Sequence, residues 1–146
     1  MSQHTIRVGV YGASGYAGLD LVELLCRHDN VDLVFATSNT YAGDFVPDTD
    51  LRYIPTDQVD FSTVDVVFLA VPHKTAAPLA KQALDAGIKV IDLSADFRLE
   101  TAEAYQKWYG VEHPHPELLP APYGLPEMNL HNIVGHKLIA VPGCYP

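Results

Sequence analysis

Two short stretches of this sequence hold residue types at spacings that suit chemistry. In GASGYAG, Gly12, Gly15 and Gly18 stand three apart, between an extended run (IRVGVY, 6–11) and a helical one (LDLVELLCRH, 19–28). Glycines between strand and helix allow a tight turn and let backbone N–H groups approach a pyrophosphate, which then rests on the helix N-terminus. The spacing is GxxGxxG rather than GxGxxG, and Ser14 adds a hydroxyl donor. The competing reading is a strand-to-helix turn with no ligand; the flanking pattern favours a dinucleotide. The second stretch is VPGCYP, 141–146, where Cys144 follows a strand-like run and a Pro-Gly turn. A thiol so placed sits at the carboxyl edge of a sheet, where open α/β folds bind ligands. With a pKa of about 8.5, a free thiol is only a few per cent thiolate at neutral pH, so a nucleophile there needs a helix N-terminus, a histidine or another cation.

The second strand indicates which dinucleotide is bound. NAD sites usually carry Asp or Glu at its end, about 20 residues past the glycines, to bind the ribose 2′-hydroxyl. Here the strand ends Ala36-Thr37-Ser38-Asn39-Thr40, and Asp32 stands at its beginning. Neutral donors without a carboxylate predict NADP. No arginine occurs in that stretch to clamp a 2′-phosphate, so the preference is modest.

The elements that must position these groups follow from periodicity. Strand patterns occur at 6–11, 31–38, 65–71, 89–94 and 137–141. Helical spacing after the glycines puts Leu21, Leu24 and Leu25 on an inner face, and in TAAPLAKQALDA (75–86) it puts Leu79, Ala83 and Ala86 together, with Gly87 as the C-terminal stop. Residues 39–63 read as irregular, 101–108 as a short helix, and the proline-rich stretch after it as a loop. Strands alternating with helices predict an α/β, Rossmann-like, doubly wound, mainly parallel sheet with right-handed crossovers, spanning 1–146 as one domain.

Composition narrows the function class. The 146 residues are 48% apolar and 18% charged, as in a soluble globular domain. A net charge of −9 argues against nucleic acid. The acid-rich stretch Asp44, Asp48, Asp50, Asp57 and Asp60 around Arg52 reads as a solvated loop face. No run approaches the ~20 apolar residues of a membrane span, and the first residues lack a signal-peptide pattern. With two cysteines, Cys26 and Cys144, the expectation is a reducing cytoplasm. His113 and His115 form an HxH pair without further ligands at metal spacing, so no metal is expected. Cys26, Trp108 and Tyr109 read as packing residues, and Glu117 and Glu127 show no acid/base pairing by spacing.

Six stretches together carry a family resemblance: GASGYAG (12–18), FLAVPHKTAA (68–77), VIDLSADFRL (90–99), WYGVEHPHPELL (108–119), YGLPEMN (123–129) and VPGCYP (141–146). The chain resembles the N-terminal half of the N-acetyl-gamma-glutamyl-phosphate reductases of arginine synthesis. The resemblance implies that Cys144 attacks an acyl phosphate, expels phosphate and forms a thioester, which hydride from NADPH reduces to a semialdehyde. It also implies that Gly12, Ser14, Gly15, Tyr16, Ala17 and Gly18 hold the pyrophosphate, Ser38 the 2′-phosphate end, and Pro72 and Ser94 the nicotinamide side. Arg98 is a candidate substrate anchor, against an ion pair with Asp96 or Glu100; His113 and Glu127 are candidates for the substrate cleft. Two residues depart from the family: Val141 stands where Asn is usual, and Lys74 where Gly is frequent. Lys74 reads as facing solvent. Family members continue into an α+β domain that supplies a catalytic histidine and a homo-oligomer interface. The expectation is therefore that this chain binds NADP and carries the nucleophile for a small acyl-phosphate substrate, but is inactive alone. Two alternatives stand beside it: a reductase of LysW-carried aminoadipyl phosphate in lysine synthesis, and a non-catalytic NADP-binding module.

Overall fold

A computed structural model describes residues 5–145. The chain packs as two compact units, Met1–Ala70 and Val71–Pro146.

In the first unit, β1 (Ile6–Tyr11) is central and β2 (Val31–Ala36) and β3 (Val66–Leu69) flank it, both parallel. The register pairs Val8 with Leu33 on one side and Val10 with Phe68 on the other, and it slips between Val8 and Gly9. Gly9 is needed there because a Cβ would fall 2.1 Å from the Phe35 ring, which lies across it and meets Tyr11 edge to face. Helix α1 (Tyr16–Cys26) turns Gly18, Val22 and Leu25 inward onto a core of Val8, Val10, Ala13, Ala36, Val46 and Tyr53. Leu24, expected inside, is 65% exposed. The close approach at Gly18 sets the helix rotation, and Val22 and Leu25 follow it at i+4 and i+7. A Cβ on Gly18 would sit 2.2 Å from the Gly12 carbonyl oxygen and 2.8 Å from Ala13 Cα. Gly18→Ala is therefore expected to destabilise the chain by about 2 kcal/mol or more and to displace the glycine loop, which urea unfolding and dinucleotide titration would show. Unchanged stability and affinity would refute that packing argument.

In the second unit, β4 (Lys89–Asp92) pairs in parallel with β5 (Leu138–Ala140), with Val90 opposite Leu138 and Asp92 opposite Ala140. Helix α2 (Ala76–Asp85) buries a stripe of Ala76, Ala77, Ala80 and Ala83. Of the expected face only Ala83 is fully inside; Leu79 is half-buried, and Ala86 is the exposed C-cap. Small side chains let a helix approach its sheet more closely than leucine does, so the alanines decide the face. Gly87, at φ +82, ends α2 as read: its N–H donates to Leu84 O, and Ile88 N–H donates to Ala83 O, a Schellman pair. Helix α3 (Ala102–Tyr109) starts on Thr101, whose hydroxyl accepts Ala104 N–H, and stops at left-handed Gly110.

The proline-rich stretch read as loop holds a further helix, α4 (Pro126–Ile133), kinked at Asn129. Proline at the first helical position lacks only an N–H that would be unpaired anyway, so Pro126 begins a helix rather than breaking it. Every described strand pairing is parallel and strands alternate with helices, as in a Rossmann-like fold. Among the described residues no helix is long and apolar enough to cross a membrane.

Candidate functional site

The glycine loop belongs to the first unit. Gly12 adopts φ +71, a left-handed conformation that favours glycine, and its N–H donates to Thr37 Oγ1 at 3.1 Å. Ala13 N–H donates to Thr37 O at 3.0 Å, so the end of β2 holds the loop from both sides of one residue. Sequence reasoning passed over Thr37, whose only signal is its place at the end of the second strand. Gly15 is the N-cap of α1, and no side chain caps it. The first turn, Tyr16, Ala17 and Gly18, thus presents backbone N–H groups at the positive end of the helix dipole, with Tyr16 itself 95% exposed.

Beside this turn lie the two serines singled out from sequence. Ser14 Oγ–H donates to Ser38 Oγ at 2.8 Å, and Tyr41 N–H donates to the same oxygen at 3.2 Å. Ser38 is 5% exposed, and these two bonds tie its hydroxyl into the loop. An adjoining cavity of about 290 Å³ is lined by Ser14, Leu19, Tyr41, Asp44, Phe45, Pro47 and Tyr53. The loop reading of residues 39–63 missed two charges that folding brings here. Arg52, bridged antiparallel to Phe45, stacks 3.8 Å over that ring and donates to Gly43 O at 2.6 Å. Asp44 forms part of the cavity wall, so a carboxylate stands near the serines although none ends the strand. An uncapped helix N-terminus and the glycines before it fit a dinucleotide's phosphates.

The thiol belongs to the second unit. Cys144 is exposed, and it leaves β5 through Val141, Pro142 and Gly143. Val141 N–H donates to Asp92 O at 2.8 Å, one step past the end of β5. Arg98 fixes this exit: Nε donates to Val141 O at 2.9 Å and Nη2 to Leu93 O at 2.7 Å. Its Nη1 faces Gly143, where a Cβ would stand 3.2 Å away. Neither expected ion pair forms, because the Asp96 carboxylate is engaged elsewhere and Glu100 is exposed.

Several residues expected near ligand are instead buried and hydrogen-bonded within the fold. Ser94 is 6% exposed; its hydroxyl donates to Asp92 Oδ2 at 2.8 Å and accepts Asp96 N–H at 3.1 Å. Asp92 also accepts Ser94 N–H at 2.9 Å, and burial pushes its carboxyl up to about 6. His113 is 5% exposed between Phe97 and Tyr105. Its Nε2 faces Asp96 O at 2.9 Å and its Nδ1 accepts His115 N–H at 3.0 Å, which makes it the neutral Nε2–H tautomer. His115 turns to Glu117 at 3.0 Å, so the HxH pair does not converge. Pro72 and Glu127 are exposed, Glu127 in the first turn of α4.

Comparison with known proteins places this geometry. Residues 7–136 match the family model described as semialdehyde dehydrogenase, NAD binding domain. The chain is 46% identical to an N-acetyl-gamma-glutamyl-phosphate reductase of Azotobacter vinelandii and 47% identical to one of Pseudomonas putida, in each case over 97% of this chain and 44% of that protein. It therefore spans less than half the length of these curated relatives. Among solved structures, aspartate semialdehyde dehydrogenase II of Vibrio cholerae, complexed with ASA, superimposes with a TM-score of 0.70 at 22% identity, over 96% of this chain and 42% of that one. A probable aspartate-semialdehyde dehydrogenase of Pseudomonas aeruginosa does so with a TM-score of 0.64 at 27% identity, over 94% and 38%. The Rossmann-like fold expected from the strand and helix pattern is thereby shown.

Proposed function

The chain belongs to the semialdehyde dehydrogenase family through its NAD-binding domain, and from that premise we propose that it is the cofactor-binding and nucleophile-bearing part of an NADPH-dependent reductase of N-acetyl-gamma-glutamyl phosphate. The observation that carries the reading is the pairing of two motifs in one chain: an uncapped glycine turn at a helix N-terminus, and a cysteine presented on a braced strand exit. Relatives 46–47% identical across 97% of the chain bear the name of that reductase, which favours its substrate over the lysine-pathway one. A mere binding module would have no use for a thiol held at the strand end.

The residues divide the work. Gly12 to Gly18 cradle the pyrophosphate, Ser38 stands at the 2′-phosphate end, where it holds the loop through Ser14 and Tyr41, and Pro72 and Ser94 belong to the nicotinamide side, Ser94 through the backbone it holds. Cys144 Sγ attacks the carbonyl carbon of the acyl phosphate; the carbon–oxygen bond to phosphate breaks and phosphate leaves with the electron pair. A reduced nicotinamide, when bound, supplies the hydride that takes the thioester to the aldehyde level. Collapse of the hemithioacetal then frees the semialdehyde and returns the thiolate. Arg98 Nη1 is the donor left for an anionic substrate oxygen, and Glu127, exposed in the first turn of α4, is assigned to the substrate cleft. His113, a locked neutral tautomer, supports Asp96 instead. A proton acceptor for the thiol lies with the rest of the enzyme, so this chain by itself is expected to bind cofactor without turnover. Full-length protein is expected to be a cytoplasmic homo-oligomer.

Cofactor choice provides the test. Ser38 and the stacked Arg52 favour a 2′-phosphate, while Asp44 opposes it, so calorimetry is expected to show NADPH bound about threefold to tenfold more tightly than NADH. Tighter binding of NADH would assign Asp44 to the ribose 2′-hydroxyl and reverse the choice. Binding of neither would sink the reading.

A further inference from the structure

The ladder between β4 and β5 stops one rung short of the cysteine turn, and a side chain replaces the missing rung. Val90 N–H donates to Lys137 O at 2.7 Å, and Val141 N–H donates to Asp92 O at 2.8 Å. The same parallel register makes Ser94 N–H the next donor and Val141 O the next acceptor. That bond does not form. Ser94 N–H turns back to Asp92 Oδ1 at 2.9 Å, and the Ser94 hydroxyl donates to Oδ2 at 2.8 Å, so β4 ends in a turn closed by its own last side chain. Val141 O then lies past the end of the ladder, and Arg98 Nε donates to it at 2.9 Å. Across the gap, Nη2 of the same guanidinium donates to Leu93 O at 2.7 Å. A planar fork with its donors in fixed directions thus spans the two strand exits and sets their separation. Its Nη1 lies against Gly143, where a Cβ would stand 3.2 Å away, one residue before Cys144.

The outer edge of β5 is held as well: Ala140 N–H donates to Pro122 O at 3.0 Å, and Ala140 O accepts Gly124 N–H at 2.7 Å. The strand is therefore fixed as far as Ala140 without Arg98, whereas the turn that follows depends on the Asp92 bond and on the guanidinium. We infer that Arg98 is a positioning residue for Cys144: its bridge between Leu93 O and Val141 O sets where the thiol stands at the sheet edge, apart from any contact of Nη1 with substrate. The bridge is built from contacts within the second unit; its consequence for catalysis rests on the proposed reductase function.

The test uses Arg98→Lys, which keeps the charge and loses the planar fork. In the chain as it stands, amide hydrogen exchange followed by NMR is expected to quicken about tenfold at Val141 N–H and less than about twofold at Val90 N–H, at the other end of the same ladder. In a reductase that continues to the length of its relatives, kcat is expected to fall about 10²-fold, with KM for the acyl phosphate and NADPH affinity each within about threefold of wild type. Unchanged exchange at Val141, or equal acceleration at both amides, would overturn the inference. So would a rise in KM in place of the fall in kcat, which would leave Arg98 as a substrate anchor alone. Should the wild-type reductase be inactive, the functional reading fails, and the exchange measurement decides the bridge separately. Should Arg98→Lys not fold, Gly143→Ala presses a methyl on the same guanidinium at Nη1: faster exchange at Val141 N–H supports the bridge, and an unchanged rate overturns it.

Discussion

Cys144→Ser, made in a reductase that continues past this chain to the length of its relatives, is expected to lower kcat by about 10⁴-fold while leaving NADPH affinity unchanged. A serine hydroxyl ionises far less readily than a thiol, and an oxygen ester accepts hydride less readily than a thioester, so both halves of the reaction suffer. The binding surface for cofactor is untouched, because the glycine turn and Ser38 draw their hydrogen bonds from Thr37, Ser14 and Tyr41. Cys26 is the internal control. It lies on α1, and partial burial together with Asp48 pushes its thiol above the ordinary range, away from thiolate. Cys26→Ser should leave turnover within about twofold of wild type. Residual activity of a tenth or more in Cys144→Ser would remove the covalent step from the reading.

The second large effect is one of stability and pH. Asp92 is fully buried at the end of β4, and desolvation lifts its carboxyl from 3.8 to about 6 against the hydrogen bonds from Ser94, which pull it down. Its pKa is higher in the folded chain than in the unfolded one, so folding disfavours the carboxylate. The penalty is complete above about pH 6 and vanishes below pH 3.8, and this group alone makes the fold more stable as pH falls between them. The size is about 3 kcal/mol. Asp92→Asn removes the charge and keeps an acceptor for Ser94 N–H, but its amide group loses the acceptor for the Ser94 hydroxyl, which offsets part of the gain. At pH 8 it is therefore expected to be more stable than wild type by about 2 kcal/mol, and the gap should close towards pH 4. Asp60 and Glu117, both exposed and both shifted down by hydrogen bonds, act in the opposite sense at the acid end in both proteins alike. Urea unfolding at several pH values measures the gap. A gap independent of pH would show that Asp92 is not the titrating group.

Much of this was legible from residue types alone, for a local reason. Strand and helix periods, the glycines between them and the stop at Gly87 express backbone preferences that each segment carries with it. Helix α4 escaped because proline density was read as loop, although Pro126 occupies the one helical position that suits it. Leu24 and the alanine stripe of α2 went wrong by a single step around the helix. Hydrophobicity ranks leucine above alanine, while close packing chooses whichever residue lets the backbones approach.

What the sequence by itself determined is the kind of chemistry: glycines spaced for a pyrophosphate, a cysteine after a strand, a chain of alternating strands and helices. Only the tertiary structure decided which polar residues hold the fold. Ser94, His113 and Asp96 stand in motifs that look chemical, yet burial commits their atoms to backbone groups and to one another. Arg52 and Asp44 stand in a stretch that looks like solvated loop, yet the bridge from Phe45 to Arg52 carries one onto an aromatic ring and the other into the cavity wall. The physical reason is that a polar side chain's role depends on whether water or protein satisfies its hydrogen bonds, and that is settled by which distant segments pack against it.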